Sequence, residues 1–196
     1  MAAVALRAPA TGLAGGVGPV AAAVSTAMAL AAGEYDLVVS AGIAGGFAGR
    51  AAIGDLVVSA SVRWADLGAA TDEGFLDLTG LGLTGGEALP CPALDWAAGA
   101  LASVAVPVRT GEMLTVATMT GTDRRAAELA AAHPAALAEA MEGYGVAWAA
   151  SAAGLPWVEV RAVSNLIGRR DRSTWNIPAA FSALRAALDA LAAAPR

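Results

Sequence analysis

Short runs of apolar, β-branched residues alternate along this chain with alanine-rich segments of helical spacing, and that alternation leaves few folds open to it. Leu37-Val38-Val39-Ser40, Leu56 to Arg63 and Trp157 to Val163 read as strands. Strands that are apolar throughout, rather than at every second residue, are covered on both faces. Between them, Val20 to Ala32, Ala93 to Ala102, Asp123 to Ala132, Tyr144 to Ala153 and Pro178 to Ala194 read as helices. Pro19 suits the opening turn of the first, and Gly33 its end. Thr122 is the expected cap of the third. Gly154-Leu155-Pro156 ends the fourth. The last carries Phe181, Leu184, Ala187, Leu188 and Leu191 on one stripe. Ala2 to Leu6 reads as a short strand, and Gly12 to Pro19 as a loop. Val104 to Val108 and Met113 to Thr118 read as two strands split by Gly111. Residues 64 to 90 are an excursion rich in loops. The expectation is an α/β fold in a single domain of 196 residues, with no repeat and no dividing linker.

Composition narrows the functions. Hydrophobic residues at 57% and charged residues at 15% exclude a disordered chain. A net charge of −5 without a Lys/Arg run argues against a nucleic-acid partner. A lone cysteine, Cys91, provides no disulfide framework and no thiolate zinc site. A lone histidine, His133, argues against a Ser-His-Asp triad and against histidine-rich metal sites. The expectation is a protein without metal or cofactor. Ala8 to Gly33 carries no charge and is long enough to cross a bilayer. However, Pro9, Gly12, Gly15, Gly16, Gly18 and Pro19 interrupt it, so a buried helix after a glycine-rich loop is preferred to a span or a signal peptide. The expected location is the cytoplasm, with no membrane partner.

In α/β sheets, ligands lie beyond the carboxyl ends of the strands, and three constellations fall there. Ser40-Ala41-Gly42-Ile43-Ala44-Gly45-Gly46 follows a strand, and its glycines allow backbone amides to approach a ligand. It reads equally as a plain tight turn. Glu142, between Met141 and Gly143, is a carboxylate able to accept two hydrogen bonds, which suits a ribose diol. It also reads as an acid favoured by the dipole of a helix start. Arg161 and Asn165 place a guanidinium and a carboxamide near a strand end. By alternation Arg161 shares a face with Trp157, Glu159 and Val163. It suits a carboxylate, a phosphate or a polarised water, or else a salt bridge to Glu159 or Glu142. Gly16-Val17-Gly18-Pro19-Val20-Ala21 mimics a dinucleotide fingerprint, with Asp36 further on. That acid precedes the second strand instead of following it, and no convincing strand leads into the glycines.

Together, Ser40 to Phe47, Gly54-Asp55-Leu56-Val57-Val58, Met141-Glu142-Gly143 and Arg161 to Asn165 resemble the nucleoside phosphorylase and nucleosidase superfamily. Within it, Gly168-Arg169-Arg170-Asp171-Arg172 and Trp175-Asn176 are similar to the futalosine hydrolase branch of the menaquinone pathway. The resemblance runs from about Gly15 to the final helix. It implies a three-layer αβα sandwich on a twisted mixed sheet, and cleavage of an N-glycosidic bond. Glu142 would bind the ribose hydroxyls and Met141 would pack on the sugar. Arg161 and Ser40 would place the attacking water. Gly42, Thr120 and Gly121 would line the base pocket. Asn165 stands where adenosine-type relatives carry Asp. Its amide can donate to N7 and O6 of a 6-oxopurine but opposes the 6-amino donor of adenine, so hypoxanthine is the expected leaving base. Arg169, Arg170 and Arg172 are candidates for a carboxylate on the 5′ tail of the substrate, and Trp175 for its ring, and they read equally as a solvated charged loop. A homo-oligomer is expected, a dimer at its simplest.

One departure stands out. The superfamily usually opens with an additional strand and a loop glutamate that activates water. Here residues 1 to 14 contain no Asp or Glu. Either the start is truncated or another acid serves, with Glu142 the internal substitute. A missing general base lowers the rate by about 10²–10⁴-fold. The expectation is therefore an impaired hydrolase. The alternatives are a phosphorylase of 6-oxopurine nucleosides and a nucleoside-binding protein without turnover.

Overall fold

Alanine and glycine let the elements of this chain approach unusually closely, as a computed structural model shows; it describes the backbone of residues 2–5 and all of residues 10–195. The elements run β1 (Ala2–Ala5), β2 (Thr11–Ala14), α1 (Pro19–Ala32), β3 (Val38–Gly46), β4 (Leu56–Trp64), β5 (Gly68–Thr71), β6 (Gly74–Asp77) and β7 (Leu89–Pro90). They continue with α2 (Leu94–Leu101), β8 (Val108–Thr115), α3 (Asp123–Ala132), β9 (Ala136–Ala140), α4 (Gly143–Ala152), β10 (Trp157–Leu166) and α5 (Ile177–Ala193).

The main sheet is mixed, in the order β10-β4-β8-β9-β3-β1-β2. β10 pairs parallel with β3, and β4 and β9 pair parallel with β8. β10 with β4, and β3 with β9, are antiparallel. Because β10 touches both β3 and β4, the strands β3, β10, β4, β8 and β9 close into a ring. Val158, Val160 and Ala162 on one side of β10, and Trp157, Glu159 and Arg161 on the other, are all buried. Both faces of this strand are covered, as its continuous apolar run implies. Helices α1 and α4 pack on each other, as do α2 and α5, and α4 and α5 both meet β10.

Alanine-rich α4 shows why small residues matter. Seven of its ten residues are buried, and a Cβ at Gly145 would collide with the carbonyl of Pro19 in α1. Only glycine permits that crossing. Thr122 caps α3 as expected, its Oγ1 accepting from Arg125 N at 3.2 Å.

Several expected boundaries differ. Residues 41–46 do not form a turn after a short strand; they are the second half of β3, hydrogen-bonded in parallel register to β10. Their small residues fit because Ile167 and Val163 press on Gly45 and Gly46. Gly111 does not split two strands but lies inside β8, where Leu137 fills the space of its missing side chain. Thr11–Ala14 is a strand rather than a loop, so a strand does lead into Gly16 and Gly18. The excursion holds a separate β5–β6 hairpin. β9, with the sequence ALAEA, is unheralded by β-propensity and exists because β8 and β3 pair with it. No helix among the described residues is long and apolar enough to cross a membrane.

Candidate functional site

Glu159 and Arg161, on one face of β10, meet the start of α4, and this sets up a buried charge cluster. Arg161 is 1% exposed. Its Nε donates to Glu159 Oε1 at 2.7 Å, Nη1 to Glu142 Oε2 at 3.3 Å and Nη2 to Ser40 Oγ at 3.1 Å. Glu142 precedes the first turn of α4, and its Oε1 accepts from the amide of Gly18 at the start of α1, at 3.2 Å. This carboxylate thus bonds the N-terminus of α1 from a residue at the start of α4, and the partial positive charge of a helix N-terminus favours it.

Two carboxylates share one guanidinium here. Burial raises the pKa of Glu159, Arg161 opposes that, and the negative charge of Glu142 adds to it. Glu159 Oε2 has no hydrogen-bond partner among the described residues. It abuts Gly143, where a Cβ would collide with the carboxylate. Such a cluster costs desolvation, and removing one member leaves an uncompensated charge.

A cavity of about 280 Å³ opens beside Glu142. Val17, before α1, forms one wall, and residues 43–45 of β3 form another. Met119, Thr120 and Gly121 come from the β8–α3 loop, and residues 139–142 from the end of β9. Residues 164–166 of β10, then Gly168, Arg169, Arg170 and Trp175, complete it. Asn165 Oδ1 accepts from Ser164 Oγ at 2.8 Å, and Nδ2 donates to Leu166 O at 3.0 Å, which leaves one N–H for a ligand. At the rim, the guanidinium carbons of Arg170 and Arg172 lie 5.5 and 5.8 Å from the ring centre of Trp175. The backbone of this loop is tied down by Arg170 N to Gly121 O at 3.2 Å and Arg169 N to Asp123 Oδ1 at 2.7 Å.

Of the residues expected at a site, Thr120, Gly121, Met141, Glu142, Asn165, Arg170 and Trp175 line this one cavity. Ser40, Gly42 and Arg161 are not among its lining residues. Ser40 and Arg161 lie behind Glu142 and hold it, so both salt bridges considered for Arg161 are formed. Arg172 stays outside the lining and lies near the Trp175 ring. Sequence reading missed Glu139. It is 5% exposed, lines the cavity and accepts from Thr120 N at 2.8 Å and Thr120 Oγ1 at 2.6 Å. Burial pushes its pKa up, while the Thr120 bonds pull it down. An acid within an alanine-rich apolar run was the available signal. Among the described residues no three His, Cys, Asp or Glu side chains gather as a metal site.

The chain belongs to the phosphorylase superfamily, whose profile matches residues 7–194. It is 53% identical to the futalosine hydrolase of Streptomyces coelicolor over 185 residues, covering 92% of this chain and 77% of that one. It is 48% identical to the futalosine hydrolase of Acidothermus cellulolyticus over 166 residues, covering 84% and 68%. Among solved structures, a 5′-methylthioadenosine/S-adenosylhomocysteine nucleosidase from Colwellia psychrerythraea, in complex with adenine, superimposes with a TM-score of 0.80. It is 27% identical, and the match covers 93% of this chain and 76% of that one. The expected superfamily and its futalosine hydrolase branch are both met, as is a mixed-sheet α/β fold.

Proposed function

We infer that this chain hydrolyses the N-glycosidic bond of futalosine, releasing hypoxanthine and dehypoxanthine futalosine for menaquinone biosynthesis. One observation carries the reading: over 92% of its length the chain shares 53% of its residues with a futalosine hydrolase. In this reading Glu142 accepts the ribose hydroxyls through lone pairs not used by Gly18 and Arg161, and Met141 packs on the sugar. Arg161 and Ser40 act by fixing Glu142 rather than by touching water. Thr120 and Gly121 border the base. Asn165 donates its remaining N–H to the base as negative charge gathers there in the oxocarbenium-like transition state. Arg170 and Trp175 take the carboxylate and ring of the 5′ tail.

Water, rather than phosphate, is the proposed nucleophile. Arg161 is engaged by two carboxylates. Arg50, the basic residue nearest in sequence to the glycine-rich strand, is spent on the carbonyls of His133, Ala136 and Ala130 at 2.8, 3.0 and 2.8 Å. Slow turnover is the expected kinetic signature. The two acids among the described lining residues, Glu139 and Glu142, both already accept hydrogen bonds from the protein. A dimer is the proposed assembly. Val20, Val24 and Met28 recur every fourth residue on α1, each more than half exposed, near a half-exposed Trp148 on the α4 that packs against it.

The test is release of free base from futalosine, inosine and methylthioadenosine, with and without phosphate. Futalosine should be cleaved best, without phosphate dependence. Asn165→Asp should shift the preference towards 6-amino bases by about ten- to a hundredfold. Best cleavage of methylthioadenosine by the natural chain would sink the assignment.

A further inference from the structure

Glu159 is 1% exposed and is not among the residues lining the cavity, yet it meets both neighbours of the acid that faces the ribose. Its Oε1 accepts from Arg161 Nε at 2.7 Å, and the same guanidinium reaches Glu142 Oε2 through Nη1 at 3.3 Å. Its carboxylate also lies against Gly143, which follows Glu142 and opens α4. A Cβ there would collide with both carboxylate oxygens and the carbon between them, so Glu159 can take this place only beside a glycine. A hydrogen bond and a packing contact from one side chain thus converge on Glu142.

The lone pairs of Glu142 are few. Oε1 accepts from Gly18 N at 3.2 Å and Oε2 from Arg161, which leaves one site on each oxygen for the two hydroxyls of a ribose diol. The Nε, Nη1 and Nη2 atoms of Arg161 bond three different partners, Glu159, Glu142 and Ser40. Without Glu159, Nε loses the acceptor it has at 2.7 Å, and a buried donor left unsatisfied is costly. The other carboxylate already within reach of the guanidinium is Glu142. Guanidinium and carboxylate readily pair through two parallel bonds. A second bond of that kind would occupy a lone pair that the ribose needs.

We propose that Glu159 is a positioning residue for ribose recognition: by engaging Nε of Arg161 it holds that guanidinium to one bond with Glu142, and Gly143 is the glycine that gives it room. Glu159 touches no part of the nucleoside and acts through Arg161. Residues 143 and 159 form a matched pair, so a change at one alters what the other tolerates. This inference rests on the reading in which Glu142 holds the ribose.

The test is calorimetric and needs no turnover. 7-Deazainosine has no N7 to take up a proton and so resists cleavage, and 7-deazahypoxanthine is the same base without ribose. The ratio of their affinities isolates the contribution of the sugar. Both are titrated into the natural chain, Glu159→Ala, Glu159→Gln, Gly143→Ala and the double variant Glu159→Ala/Gly143→Ala. The natural chain should favour the nucleoside. Glu159→Ala should cut that ratio about ten- to a hundredfold, the magnitude of one hydrogen bond to a charged group. Glu159→Gln, whose amide oxygen still accepts from Nε, should keep most of it. Gly143→Ala should lower the ratio when residue 159 is Glu and leave it unchanged when residue 159 is Ala. If Glu159→Ala weakens both ligands equally and keeps their ratio, Glu159 only supports the scaffold and the inference is overturned. An equal effect of Gly143→Ala in both backgrounds overturns it as well. Should Glu159→Ala fail to fold, as seen by circular dichroism, Gly143→Ala alone decides: a lowered ratio supports the inference and an unchanged one overturns it. A natural chain that binds nucleoside and base alike would sink the ribose role of Glu142 and this inference with it, whereas a ratio that survives Glu159→Ala sinks the inference alone.

Discussion

Behind the wall of the cavity Arg161 is 1% exposed and tied to Glu142, Glu159 and Ser40, whereas at the rim Arg170 and Arg172 are exposed and lie over Trp175. The same side chain is part of the framework in one place and a solvated contact in the other. The difference is burial. A desolvated guanidinium is fixed by its partners and fixes them in turn, while an exposed one is screened and adaptable. A charged residue at a cavity is thus informative about chemistry only once its burial is known.

The sharpest way to break this comparison is to remove one arginine from each region. Arg161→Met should lower stability by about 3–5 kcal/mol, because it strands two buried carboxylates. Arg172→Ala should lie within about 0.5 kcal/mol of the natural chain. Urea unfolding of both variants checks this, and equal losses would erase the distinction.

Gly143→Ala probes the same inner cluster from the helix side. The added methyl meets the Glu159 carboxylate, and overpacking of this kind costs about 1–3 kcal/mol. A neutral result in the same unfolding assay would mean that the cluster yields easily.

A smaller effect is expected from acidity. The folded pKa of Glu159 is raised, chiefly by burial, so folding favours its protonated form. That contribution is complete below the ordinary carboxylate pKa and is lost as pH rises through the raised folded value. Glu159→Gln should flatten the decline over that window. Urea midpoints measured across the acid range would expose the opposite sign if Arg161 prevailed over burial.

The smallest effect should appear at the rim. Arg170→Ala should raise the KM for futalosine a few-fold, roughly what an exposed ion pair contributes, with little change for inosine, which lacks the tail. A similar rise for inosine would move Arg170 from the tail to the base.

The sequence made the fold legible wherever a segment advertised itself. α3 was readable to the residue because Thr122 caps it and polar residues bound it. The buried strands β4 and β10 were readable from their apolar runs, although β10 continues three residues further, which puts Asn165 in the strand. β9 was invisible. ALAEA has neither β-branched residues nor alternation, and only its neighbours make it a strand. Glu139 was lost with it. Glu142 and Asn165 were found because a carboxylate and a carboxamide interrupt apolar stretches, and both border the cavity. Arg161 was found for the same reason, but its depth was not readable, since strand periodicity gives a face and not a distance from solvent.

Glu142 has a further consequence, for anyone wishing to disarm this protein while keeping it intact as a ligand trap. Its carboxylate stitches the beginnings of two helices and the buried arginine together. With Glu142 in the ribose-binding role proposed above, truncating it would confound loss of that role with loosening of the scaffold. Asn165, whose side-chain hydrogen bonds among the described residues go to its own strand neighbours, is the safer place to cut.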